Sequence, residues 1–241
     1  MNFGELPYNE IETILQMRCG LPLSYASKMV AVMRELQANR SSCSMFAGRE
    51  GYITLRDLFR WGDRFKNVSA QQNDYIQYLA EQGYFILAGR CRRSEDEKVV
   101  IENLETCFKV KIDSDKLFHI DSPYFPLGLL DIRNNVDEFK HICWTKSIVR
   151  SAVLLGQALQ FNEPTLLVGD TGCAKTTLCQ MFAKANSRSM NTINCHMSTE
   201  AADFVGRLVP APLECQEIDL KFASRNFVNM ISGFLSLAYE Y

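Results

Sequence analysis

The sequence predicts an α/β fold in which an all-helical domain is followed by an incomplete P-loop domain built on a parallel sheet. Three observations carry that prediction. Apolar residues recur at helical spacing through the first half, with no strand alternation of any length. The pattern fades between Lys109 and Phe139, where Pro123, Pro126, Gly128 and the polar run Arg133-Asn-Asn135 read as an extended connector. An apolar run, Leu166-Leu-Val168, then enters a glycine-bearing turn and a further helical pattern, the strand–loop–helix order that opens a parallel sheet. This gives a helical domain over 1–118, a connector over 119–140 and a truncated α/β core over 141–241. A connector of that length is long for a loop inside one compact domain, which favours two domains.

Taken in order, Ile11, Ile14, Leu15 and Arg18 fit the first amphipathic helix, and Met29, Val32, Met33 and Leu36 a second after Pro22 and Ser24. Arg40 to Gly48 is a polar loop of small residues. Thr54-Leu-Arg-Asp57 offers a capping box, so a helix should begin near Leu55. Ile76, Leu79, Ala80, Gly83 and Leu87 mark the next, and Ser94-Glu-Asp-Glu97 caps another that carries Val100, Leu104, Cys107 and Phe108. Helical spacing resumes at Ile148, Ala152, Leu155 and Leu159. Past the loop come a helix with Leu178, Met181 and Phe182, a short strand at Thr192-Ile-Asn194, and a helical start at Ser198-Thr-Glu200.

The chemistry concentrates in Gly169-Asp-Thr-Gly-Cys-Ala-Lys-Thr-Thr177. Gly169, Ala174, Lys175 and Thr176 follow the Walker A spacing G-x-x-x-x-G-K-[ST], with alanine for the second glycine. Such a turn aims successive backbone N–H groups inward at phosphates, and the helix starting near Lys175 adds its positive end to the same place. On this reading Gly169, Asp170, Thr171, Gly172, Cys173, Ala174, Lys175, Thr176 and Thr177 surround the phosphates of ATP. Lys175 reaches the β- and γ-phosphates, and the Thr176 hydroxyl ligates Mg²⁺. If position 174 takes a left-handed backbone, its alanine costs about 1–2 kcal/mol that glycine would not. The loop form G-x-x-G-x-A-K-[ST] resembles that of the minichromosome maintenance helicases, which are working ATPases.

Composition sets outer limits. In 241 residues, 47% are hydrophobic and 22% charged, ordinary for a globular chain with ample core material. A net charge of −2 gives no support for broad electrostatic binding to nucleic acid or anionic membrane. The nine cysteines are scattered without C-x-x-C pairs, which with no secretory signal reads as reduced intracellular thiols. No apolar run approaches the length of a membrane span.

Five separated segments then carry a family resemblance. Gly51-Tyr-Ile-Thr-Leu-Arg-Asp-Leu-Phe-Arg-Trp61 is similar to a lid-domain segment of the midasin family of dynein-related AAA ATPases. Leu79 to Arg90, Trp144-Thr-Lys-Ser-Ile148 and Glu163 to Thr177 follow in register, and Asn194-Cys-His to Gly206 resembles a segment typical of that family's AAA modules. The resemblance covers roughly 1–212. It implies a chain that begins in the helical lid of one AAA module and enters the nucleotide-binding core of the next. It also implies ATP and Mg²⁺ as cofactors, neighbouring modules of the same ring and assembly factors of the large ribosomal subunit precursor as partners, and a nuclear location (nucleolus and nucleoplasm).

The departures are specific. No run of four apolar residues followed by Asp-Glu comes after the loop, so there is no Walker B pair to hold Mg²⁺ and position the attacking water. Hydrolysis by this chain alone is therefore not expected, and the chain reads as a fragment. An alternative from another class is a non-catalytic nucleotide-binding or interaction module with a vestigial phosphate loop. Arg56 fits both a γ-phosphate sensor for an upstream module and a solvated first-turn arginine. Cys173 reads as a small loop filler, Cys195 and His196 as core packing beside a sheet, and Arg90-Cys-Arg-Arg93 as a basic helix end. Glu200 and Asp203 read as first-turn acids that complement a helix dipole.

Overall fold

The computed structural model describes residues 6–42, 53–66, 74–91, 93–193, 195 and 199. The chain divides into two compact units, residues 1–124 and 125–241.

In the first unit, α1 (Tyr8–Cys19), α2 (Leu23–Ser42), α3 (Leu55–Lys66), α4 (Tyr75–Leu87) and α5 (Ser94–Phe108) form the bundle that helical spacing predicts. A short α6 (Ser114–Leu117) follows. α1 ends because Gly20 takes a left-handed backbone (φ 64°), the usual helix stop. The predicted start of α3 holds: the Asp57 carboxylate accepts from both the backbone N–H and the hydroxyl of Thr54, each at 2.9 Å. Asp74 is itself the N-cap of α4, its carboxylate accepting from the N–H groups of Ile76 and Gln77. Ser94 does not cap α5. It is the first helical residue, Arg93 holds the cap position without a side-chain bond, and Glu95, Asp96 and Glu97 instead place negative charge on the first turn.

The core of this unit gathers around Trp61, which is fully buried with Tyr84, Phe108, Leu58, Leu79 and Leu104. Its indole N–H donates to the Leu79 carbonyl at 2.7 Å, and its ring packs 5.6 Å from that of Phe108. Gly83 makes room for it, since a methyl there would lie 2.2 Å from the indole. Buried among these side chains, the Arg64 guanidinium donates to the Gln82 side-chain oxygen at 3.0 Å.

The second unit begins inside the predicted connector, which is not extended throughout. It carries α7 (Gly128–Asn135) and a 3₁₀ turn at Asp137–Phe139. The Pro126 carbonyl, one residue before the cap position at Leu127, accepts from the Leu129 N–H at 3.0 Å. α8 (Lys146–Gln160) and α9 (Lys175–Ala185) complete the described helices. α8 buries Val149, Ala152, Val153, Leu155, Gln157 and Ala158, so Ala152 and Leu155 of the predicted stripe are buried as expected while Ile148 is half-buried and Leu159 is 45% exposed. α9 buries Leu178, Met181 and Phe182 as expected.

No strand occurs among the described residues. Residues 163–170 run without helix or ladder, and Leu166 and Val168 are 76% and 67% exposed, so the apolar run predicted as a buried strand is not buried here. Thr192 and Ile193 are likewise not in a strand. A parallel strand draws its hydrogen-bond partners from distant chain, and Asn194, together with everything after Thr199, lies outside the described residues.

A candidate nucleotide-binding site

The loop sequence becomes a defined geometry in the second unit. Gly172 (φ 84°) and Ala174 (φ 56°, ψ 23°) both adopt left-handed backbones. They turn the chain so that α9 starts at Lys175, with Leu178, Met181 and Phe182 anchoring the helix below. The alanine thus occupies the conformation in which it is costlier than glycine. The Lys175 ammonium lies over the loop and donates to the carbonyls of Gly169 (2.8 Å) and Asp170 (2.6 Å). The Thr176 side chain is exposed on the first turn of α9.

Thr171, Gly172, Cys173, Ala174, Lys175, Thr176 and Thr177 line a cavity of about 560 Å³, within the usual range for small-molecule sites. Gly169 and Asp170 contribute through their carbonyls to Lys175 and are not part of the lining. The facing wall is made by His141, Ile142, Cys143, Thr145 and Ile148. This wall was missed as a site in the sequence. Trp144-Thr-Lys-Ser-Ile148 was legible as a segment, but nothing in its spacing shows that it faces the loop.

The wall is held in place by its own unit. Arg133 donates from Nε to the Ile142 carbonyl at 2.8 Å, and the Ile142 N–H bonds to the Phe139 carbonyl at 3.0 Å. Trp144 packs edge-on against Phe125 with centroids 5.3 Å apart. Thr145 caps α8 by accepting from the Ile148 N–H. Lys184, in the last turn of α9, pairs with Glu138 and lies 4.7 Å from the Phe139 ring centroid. One helix therefore presents its N-terminus to the cavity and ties its C-terminus to the turn that leads into the facing wall.

Two cysteine readings change. Cys173 is exposed and lines the cavity, between two left-handed residues, and is not a packed filler. Cys195 is exposed as well, so it does not pack in a core as expected. His196, Glu200 and Asp203 lie outside the described residues. So do the Arg92 position and the Arg90 side chain of the basic helix end. In the first unit, Arg56 is exposed on the first turn of α3. With Arg18, Leu55, Phe59, Arg60 and Asp63 it lines a separate cavity of about 390 Å³. Among the described residues no group of His, Cys, Asp and Glu is placed to hold a metal ion by itself.

A left-handed glycine turn feeding a helix that begins with lysine defines the chain's second unit as a P-loop module. Comparison with known families agrees and makes it narrower: residues 164–229 match the AAA domain of the dynein-related subfamily, a nucleotide-binding class. Residues 10–111 match the midasin AAA lid domain. Midasin of Dictyostelium discoideum is 39% identical over 218 residues, which is 87% of this chain and 4% of that protein. Midasin of Giardia intestinalis is 26% identical over 232 residues, 87% of this chain and 5% of its own length. The denitrification regulatory protein NirQ of Stutzerimonas stutzeri is 43% identical over 54 residues, 22% of this chain and 20% of NirQ. No solved structure matches the chain. The chain belongs to the midasin family, and it spans about a twentieth of the length of those midasins.

Proposed function

We propose that the chain is an ATP-binding segment of a midasin-like AAA ATPase, with its phosphate site at Gly169–Thr177. The observation that supports this most is the placement of Lys175: its ammonium is held over the loop at the start of α9, on the wall of the 560 Å³ cavity. Backbone N–H groups of Gly169 to Ala174 and the N-terminus of α9 would surround the phosphates. Lys175 exchanges its bonds to loop carbonyls for bonds to phosphate oxygens. Thr176, exposed one residue further on the same wall, is the residue that would hold Mg²⁺, whose role when bound is to neutralise charge on the phosphate oxygens. Ile142, Cys143 and Ile148 give the opposite wall an apolar surface suited to the nucleoside, with Thr145 and His141 as its polar members.

The parallel sheet of the predicted α/β core, the ring of neighbouring modules, the removal of assembly factors from large-subunit precursors and the nuclear setting all belong to this proposal. They rest on membership of the midasin family. Nucleotide binding is the activity assigned to these residues. Among the described residues no helix is long and apolar enough to cross a membrane.

Equilibrium binding of ATP to the 241-residue chain and to its Lys175→Ala variant tests the proposal. The expected outcome is saturable binding that weakens at least about tenfold in the variant, the scale of one charge-assisted contact. Equal affinity in both, or none in either, would instead favour the vestigial loop.

A further inference from the structure

Two thiols open into the cavity, one from each wall. Cys173 stands in the loop between the two left-handed residues, and Cys143 lies on the facing segment; both are exposed. Of the other described thiols, Cys195 is exposed outside the cavity lining and Cys91 is half-buried. Cys19 is buried, Cys107 and Cys179 are half-buried, and burial pushes all three above the ordinary thiol range. The thiolate is the nucleophile, so burial suppresses reaction at those three positions, whereas exposed thiols in a cleft stay accessible. Cys173 also has a sensitive neighbour. A side-chain atom at Gly169 would lie 3.8 Å from its sulfur, and the Gly169 carbonyl is one of the two that position the Lys175 ammonium.

We propose that Cys143 and Cys173 form a thiol-modification site at which a low-molecular-weight disulfide closes the cavity to nucleotide. This inference rests on the nucleotide reading of the same cavity. In the step, a cysteine thiolate attacks one sulfur of the reagent. The reagent S–S bond breaks, a mixed disulfide forms on the protein, and the second half leaves as a thiolate that takes the proton released by the cysteine. The cysteine is oxidised and one reagent half is reduced, so electrons balance, and a dithiol reductant reverses the exchange. An adduct of tripeptide size on Cys173 fills the phosphate end of the cavity, and one on Cys143 fills the opposite side.

The test treats the full chain with glutathione disulfide, maps adducts by peptide mass spectrometry, and measures ATP affinity before treatment, after it, and after dithiothreitol. The expected result is adducts at Cys143 and Cys173, with Cys19, Cys107 and Cys179 unmodified. Bound ATP prevents both cavity adducts while Cys195, exposed and outside the cavity lining, reacts regardless. Treated chain loses affinity at least about tenfold, a change of roughly 1.4 kcal/mol, and the reductant restores it. In the double variant Cys143→Ser, Cys173→Ser the ratio of affinities with and without disulfide is one, whatever its starting affinity. Adducts that form equally with ATP bound, undiminished binding by the adducted chain, or the same loss in the double variant would each overturn the inference alone. Failure of the reduced chain to bind ATP would remove the nucleotide reading, and this inference with it.

Discussion

Ala174 holds φ 56° and ψ 23°, a backbone that glycine adopts freely and that costs an alanine about 1–2 kcal/mol. Alanine-to-glycine changes ordinarily destabilise a protein by freeing the unfolded chain, so this position reverses the usual sign. Ala174→Gly is expected to stabilise the second unit by about 0.5–1 kcal/mol, read from denaturant midpoints; a loss of stability would show that the loop bears no such strain. The spacing of Gly169, Ala174, Lys175 and Thr176 was legible in the sequence because a phosphate loop is local: the residues that shape it are neighbours in the chain. The facing wall was not legible, because it is held by contacts between separate stretches of chain, among them the bond from Arg133 to Ile142 and the packing of Trp144 on Phe125. Cys173 was misread for the same reason, since sequence alone does not say whether a loop side chain turns inward.

At the scale of elements, α3 and α4 meet where Trp61 lies against Gly83. Gly83→Ala would drive a methyl into the indole, and the expected cost is about 1–3 kcal/mol of unfolding free energy, measured in denaturant, with the Trp61 fluorescence shifted in the native state. A neutral effect would mean that the two helices separate without penalty. Helical spacing found Gly83 as a residue of α4, but its packing role depends on a tryptophan from another helix. The same limit applies to the start of α8, where Ile148 lines the cavity and Val149 is buried.

Tyr124 gives the first unit a pH signature. Its hydroxyl donates to the Glu81 carboxylate at 2.5 Å, and burial followed by that bond raises its pKa above the ordinary phenol range. Burial shifts Tyr78 in the same direction. A raised phenol pKa means that the folded state keeps its proton while the unfolded chain releases it above about pH 10. The stabilisation is therefore complete below that pH and is lost as pH rises toward the folded value. Tyr124→Phe is expected to flatten this alkaline decline and to cost about 1 kcal/mol at neutral pH, the usual worth of such a bond. An unchanged alkaline slope, followed by circular dichroism, would place the titration elsewhere.

For the whole molecule, the helical half was legible because each helix declares itself by spacing and caps within one stretch of chain. The sheet half was not, because a parallel sheet depends on partners far apart in sequence, and the described residues hold no ladder to which Leu166-Leu-Val168 is paired. Residues 119–140 are not extended throughout, because α7 (Gly128–Asn135) forms within them. On the proposed reading, loop and facing wall form one nucleotide site. Hydrogen–deuterium exchange of the chain with and without ATP tests it most directly. Slowed exchange in both 141–149 and 169–178, with α1 to α5 unchanged, is the predicted result. Exchange that ATP leaves unaltered in the loop, or slows in the loop while the facing wall stays as it was, would contradict it.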